Sequence, residues 1–241
     1  MSSGPTDTGP YASVSVTDAM RTTPARFIHT AAELGYAGIV FLLDTSDGIA
    51  AASLLDSMSI DSTWGHTIDV SDRSAASRQI TALREKTPII RATGRSVSDY
   101  RFIATQSKID IFGDPLLTGE QIPHTTLKTA TEHGVYIEMD FGPLLHRTGS
   151  RRSATIQRLR ERFRIIDHYS IPYVITTNAQ SHFQLRSPRM LGAIGEQIGL
   201  TPDAVHQGLY AWSEILERSQ RARGDTYIQP GVKRETNEQN D

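Results

Sequence analysis

Short β-branched or apolar runs alternate with amphipathic stretches along nearly the whole chain, the pattern of repeated βα units. Runs at Ala12–Val16, Ile39–Leu43, His66–Val70, Pro88–Thr93, Asp110–Phe112, Val135–Asp140 and Tyr173–Thr177 predict seven strands. Helical periodicity predicts helices over 24–35, 47–58, 72–86, 97–106, 123–133, 152–169, 188–198 and 202–222. Strands separated by helices pair in parallel. Seven of them in succession, with no Pro/Gly-rich linker, suit a single α/β barrel of the TIM type, an eighth strand being unassigned. An open doubly wound sheet is the alternative.

Several helix ends have a local cause. Ser187-Pro188 and Thr201-Pro202 each set a capping hydroxyl before a proline at the first helical position, where its missing N–H is harmless. Gly35 and Gly134 follow helical runs and precede strands, where a left-handed residue is wanted. On the helix 152–169, Ile156, Leu159, Phe163 and Ile166 form one apolar stripe. Arg160 and Arg164 lie on one flank of it, Arg158 and Arg162 on the other, each pair one turn apart. The pattern assigns one barrel domain to residues 11–222. Residues 1–10 read as a flexible tail, and 223–241 as a polar tail without regular structure.

Composition bounds the class. The 241 residues are 38% apolar and 22% charged, with mean hydropathy −0.34, enough apolar surface for a sizeable core. The longest strongly apolar run, Gly38–Leu43, is too short to cross a bilayer, and the N-terminus lacks a basic start followed by an apolar core. A cytoplasmic protein with no membrane partner is expected. Having no cysteine, the chain has no disulfide, thiolate nucleophile or Cys-ligated metal centre.

The net charge of −2 conceals an asymmetry. Residues 1–140 carry 17 acidic and 11 basic groups, whereas residues 141–200 carry 3 and 9. All nine cations of the second stretch are arginine, whose planar fork bonds phosphate in bidentate fashion. Phosphate-bearing partners become plausible, although arginine-rich helices can also be simple solvated faces.

Active sites of parallel barrels gather at strand C-termini. The polar residues there are Thr17, Asp18, Asp44, Asp69, Gly94, Arg95, Asp114, Asp140, Asn178, Ser181 and His182. The eight histidines form no His-x-His or His-Glu-x-x-His, so no metal centre is expected. No nucleophile elbow, dinucleotide fingerprint or Walker lysine loop is present, and no lysine falls at a strand end to form a Schiff base. Ser181-His182 reads as a turn or cap, because adjacent residues rarely face each other as nucleophile and base. Glu138 and Asp140, two apart on one strand, point to the same side. They form either an acid/base pair or a satisfied buried polar layer; without a partner cation, the second is favoured.

Two motifs, Val135-Tyr136-Ile137-Glu138-Met139-Asp140-Phe141-Gly142-Pro143 and Ser181-His182-Phe183-Gln184-Leu185-Arg186-Ser187-Pro188-Arg189, resemble the archaeal ribonuclease P protein component 3 family and its eukaryotic thirty-kilodalton relative. The order also matches: strand, arginine-rich helix, strand, Leu-Arg-Ser-Pro-Arg turn and two closing helices ending near Trp212. The resemblance is specific over 135–222; upstream, Phe27–Leu43 matches more weakly and 44–134 mainly in rhythm.

The resemblance implies a TIM-type barrel related to the polymerase and histidinol phosphatase superfamily, with its metal ligands largely lost. It implies a subunit of the RNA-based endonuclease that removes 5′ leaders from precursor tRNA. Catalysis would belong to the RNA with magnesium, and this chain would bind no cofactor and no metal. Implied partners are the ribonuclease P RNA, protein component 2, other ribonuclease P proteins and, through the complex, precursor tRNA. Candidate RNA or partner contacts are Arg147, Arg151, Arg152, Arg158, Arg160, Arg162, Arg164, Arg186 and Arg189; Glu138, Asp140, Ser181 and His182 are the motif residues at strand ends. Asp114 and Gln184 stand where the family commonly has histidine and aspartate, which subtracts potential ligands. A stand-alone metal phosphoesterase using Asp69, Asp140 and His182 is the competing expectation.

Overall fold

A computed structural model of the chain describes residues 9–17, 22–44, 60–113, 120–223, 227–229 and 232–233. The expected helix 47–58 and the positions Asp18 and Asp114 lie outside the described residues.

All seven expected strands form: β1 Tyr11–Val16, β2 Gly38–Leu43, β3 Asp61–Asp69, β4 Ile89–Thr93, β5 Ile111–Gly113, β6 Tyr136–Asp140 and β7 Tyr173–Thr176. They pair in parallel in strict chain order, β1 through β7. β3 begins five residues earlier than its apolar run, because Asp61 to Gly65 extend the ladder along β2. The helices around them are α1 Pro24–Glu33, α2 Arg73–Arg84, α3 Val97–Ala104, α4 His124–Glu132, α5 Gly142–His146, α6 Gly149–His168, α7 Pro188–Gln197 and α8 Pro202–Arg223. The short α5 was not anticipated, and α6 starts three residues before its predicted boundary. Gly35 and Gly134 take φ of 84° and 72°, the left-handed geometry expected at those helix-to-strand junctions. Ser187 caps α7 through Met190 N at 3.3 Å.

No eighth strand closes the barrel among the described residues. The segment after β7 reaches β1 instead, through an isolated parallel bridge between Val14 and Ala179. Ser15 N donates to Ala179 O at 3.1 Å, and Thr177 N to Ser13 Oγ at 3.1 Å. At the other end of the lumen, α8 does the filling. Its Trp212, Ile215 and Leu216 share one cluster with the inward residues Tyr11, Val40, Ile89, Ile111 and Val174. Trp212 is fully buried and its Nε1 donates to Ile175 O at 3.2 Å. Gly208 lets α8 press close, since a Cβ there would meet Ile175 and Tyr173 side chains at 2.7 and 2.8 Å.

A second anchor holds α8 in place. Asp110, 2% exposed just before β5, accepts Arg84 Nη1 from α2 at 2.7 Å, Arg218 Nη2 from α8 at 3.1 Å and the Ile90 amide at 2.8 Å. Burying a carboxylate this deeply is tolerated because its hydrogen-bonding capacity is filled and two cations face it.

The chain ends differ from expectation in detail. Gly9 is buried, and Pro10 O accepts from Ala37 N at 2.9 Å, so these two residues belong to the barrel rather than to a tail. Tyr227–Gln229 and Val232–Lys233 pair antiparallel within a stretch whose polarity predicted no regular structure.

Because α8 stands in for a strand, Trp212→Ala opens a void in the lumen and removes a buried hydrogen bond. A loss of about 3–5 kcal/mol in unfolding free energy is expected, measured by urea denaturation of the full chain.

Candidate functional site

Alternation along the strands divides the lumen into layers. The end nearest the strand N-termini is the apolar cluster under α8; the end nearest the C-termini is polar. Arg91 on β4 reaches across β5 to Glu138 on β6: Nη2 lies 2.7 Å and Nε 3.0 Å from Glu138 Oε2. Gly113 makes that path possible, since a Cβ there would stand 3.0 Å from the Arg91 guanidinium. Glu138 is 0% exposed, and its other oxygen accepts Thr176 Oγ1 at 2.8 Å and Asn178 Nδ2 at 3.0 Å. Asn178 delivers its amide from a left-handed backbone, φ 43°, a conformation asparagine tolerates better than most residues. Thr67 on β3 lies 3.5 Å from Arg91 Nη1.

Glu138 and Asp140 do share a face, as their spacing predicted, and it is the lumen. Arg91 is the partner cation that sequence reasoning missed. Its signal was present: a lone arginine within Ile89-Ile90-Arg91-Ala92-Thr93, a strand covered on both faces, calls for a buried carboxylate. Burial works against the Arg91 charge, but the Glu138 charge and hydrogen bond, with Asp140 and Asp44 behind them, outweigh it and hold Arg91 above its ordinary range. Asp140, whose Oδ1 accepts Gly142 N at 2.8 Å, is pushed up to about 6, by burial first and then by the Glu138 charge.

The residues proposed as metal ligands do not converge. Among the described residues no group of three His, Asp or Glu side chains could hold an ion. Asp69 Oδ1 is occupied by the Ser71 amide at 2.8 Å and by its hydroxyl. His182 Nδ1 faces Thr22 Oγ1 at 3.3 Å, and His66 packs edge-on to Trp64 on the outer side of β3, where burial lowers its pKa. Glu138 is already paired with the Arg91 guanidinium, and Asp69 and His182 are held by local hydrogen bonds, so this donor set does not fit a divalent cation. Ser181 Oγ accepts from Phe183 N at 3.4 Å, and Ser181-His182 is a cap at the 3-10 turn His182–Gln184, as expected.

The arginines of 141–200 separate into classes. Arg151, Arg152, Arg158, Arg160 and Arg164 are exposed along α6, Arg189 is exposed on α7, and Arg147 is half-buried after α5. Arg160 Nη2 also caps the end of α7 through Gln197 O at 2.7 Å. Arg162 departs from its assignment as a surface contact, being only 7% exposed. The buried stripe of α6 runs through Thr155, Leu159, Arg162 and Ile166, turned from the predicted one, and the Arg162 stem packs within it. Arg186 is half-buried and works inward: Nη1 donates to Phe183 O and Leu185 O, both at 2.8 Å, while Tyr36 Oη donates to Arg186 O at 2.6 Å. Partial burial and then the Arg186 charge lower the pKa of nearby His146.

These features define a parallel α/β barrel whose strand-end site is filled by its own ion pair, with an arginine-bearing helix on its outside. The RNase P subunit p30 family model matches residues 12–224. Ribonuclease P protein component 3 of Halobacterium salinarum is 35% identical over 215 residues, covering 88% of this chain and 91% of that protein. Its counterpart in Natronomonas pharaonis is 35% identical over 213 residues, covering 88% and 89%. The chain belongs to the RNase P subunit p30 family. In the cryo-EM structure of archaeal ribonuclease P with mature tRNA, one chain superposes with a TM-score of 0.77 at 20% identity, covering 95% of this chain and all of that one. Histidinol phosphate phosphatase from Lactococcus lactis, solved with zinc, L-histidinol and phosphate, superposes at 0.52 and 11% identity, covering 87% and 93%. The barrel fold is thus shared with an enzyme solved with zinc bound.

Two outcomes are expected from the lumen. Glu138→Ala strands a buried guanidinium and lowers stability by about 3–5 kcal/mol in urea denaturation, whereas Arg91→Met with Glu138→Leu recovers most of the loss. Asp140 titrates higher in the folded state than the ordinary carboxylate near 3.9. Its protonated form therefore contributes stability that is complete below about pH 4 and lost as pH rises through about 6. Asp140→Asn should flatten that window and raise the melting midpoint at neutral pH, read by thermal unfolding from pH 4 to 8.

Proposed function

We propose that this chain is a non-catalytic protein subunit of ribonuclease P, the endonuclease that removes 5′ leaders from precursor tRNA. In this reading the RNA performs cleavage with magnesium. The chain contributes no cofactor and no catalytic residue, and pairs with protein component 2 to steady the catalytic part of the RNA. The observation that carries the reading is the Arg91–Glu138 pair: the strand-end site where a barrel enzyme keeps its chemistry is occupied by a hydrogen-bonded internal ion pair. Family membership across residues 12–224 supplies the complex in which such a scaffold acts. The chain that superposes at a TM-score of 0.77 comes from an assembly of the same kind, archaeal ribonuclease P with mature tRNA.

The exposed α6 arginines supply the RNA-facing charge. Each phosphate neutralised releases counterions, so affinity falls linearly with the logarithm of salt. Arg151 and Arg152, exposed in the first turn and set well away from Arg162, are the cleanest positions to test.

Ribonuclease P RNA reconstituted with component 2 should cleave precursor tRNA at lower magnesium when this chain is added, and only when both proteins are present. Hydrolysis of a phosphate ester by the chain alone, with stoichiometric bound manganese or zinc, would establish the phosphoesterase instead. Arg151→Ala with Arg152→Ala should weaken RNA binding and reduce the salt slope by about 2, near 1 per lost phosphate contact, with the unfolding midpoint unchanged.

A further inference from the structure

Phe183 and Met190 are the two most exposed large hydrophobic side chains among the described residues, at 80% and 50%. Both belong to the turn and helix start that carry Arg186 and Arg189. The turn itself is firmly held. Gln184 Oε1 accepts the Gln180 amide at 2.7 Å, Leu185 is buried, and Arg186 clamps the Phe183 and Leu185 carbonyls at 2.8 Å. Tyr36 in turn holds the Arg186 carbonyl at 2.6 Å. Phe183 is therefore presented outward from a fixed backbone, in a chain that buries its other phenylalanines fully or in part.

The ring has one side backed. The His182 imidazole lies 3.9 Å from its centroid at an interplanar angle of 37°, leaving the outward side to solvent. No Asp or Glu occurs between Asp167 and Glu196, so the formal charges of the segment that carries the ring are entirely cationic, and Arg186 lies at the Phe183 carbonyl.

We propose that Phe183 is a stacking platform for an unpaired RNA base, with Arg189 on the adjoining phosphate. This rests on the ribonuclease P reading and gives it a contact that reads a base face rather than backbone charge. A nucleotide supplies both complements at once, a π-face for the ring and an anion for the arginine. Duplex bases keep their faces stacked, so the target is a loop, bulge or end. Because the turn is already ordered, binding loses little further entropy there.

The test uses ribonuclease P RNA substituted with 4-thiouridine, reconstituted with component 2 and full-length chain carrying Phe183, Phe183→Leu or Phe183→Trp. A photo-crosslink to the peptide containing Ser181–Arg189 is expected. Phe183→Leu should weaken RNA affinity on the order of tenfold, and Phe183→Trp should keep it within about threefold, because stacking requires an aromatic face. Equal unfolding midpoints exclude a folding defect. RNA binding that is indifferent to Phe183→Leu overturns the platform alone. Tolerance of leucine with rejection of tryptophan, accompanied by loss of component 2 from the complex, also overturns it and marks an apolar protein pocket. Failure of the wild-type chain to bind the RNA overturns the platform and the ribonuclease P reading together.

Discussion

The ion pair between Arg91 and Glu138 is the constraint on which the polar half of this barrel depends. A guanidinium and a carboxylate buried together survive only if nearly every donor and acceptor is matched, and neighbouring elements are shaped to match them. Gly113 clears the path, Thr176 and Asn178 fill the second carboxylate oxygen, and Asn178 takes a left-handed backbone to do so. The same arrangement fills the lumen beside the strand ends with the chain's own ion pair. A cation covalently attached to β4 cannot leave, and Glu138, the carboxylate it pairs with, is not available to a metal.

Closure of the barrel follows a comparable logic. With seven strands, a seam remains between β1 and β7; a single bridge spans it at one end of the lumen. At the other, α8 replaces strand with side chains, led by Trp212, and Asp110 ties that helix to α2 through two arginines and to β4 through the Ile90 amide. The inside of the molecule is thereby committed to its own architecture, apolar at one end and ion-paired at the other. The arginine face of α6 and the rigid turn that projects Phe183 lie on its outside.

Arginine does three different things in this chain. Arg91, Arg84 and Arg218 face buried carboxylates, Arg186 ties carbonyls within a turn, and Arg151, Arg152 and Arg189 point to solvent. Charge counting along the sequence cannot separate these roles, because the guanidinium serves any acceptor its stem can reach. Arg162 illustrates the point. Its sequence position put it on a flank of α6, yet a small rotation of the apolar stripe places it in the buried row.

Strand periodicity, capping residues and junction glycines determined the seven strands and most helices from local physics, since each depends on residues within a few positions of one another. The shared face of Glu138 and Asp140, and the cap at Ser181, were legible for the same reason. Only the tertiary structure decided that the face is the lumen, that Arg91 from 47 residues earlier is its cation, and that α8 fills the place of a strand. Those outcomes depend on which elements meet when the sheet closes, and sequence spacing carries no record of contacts made across a barrel.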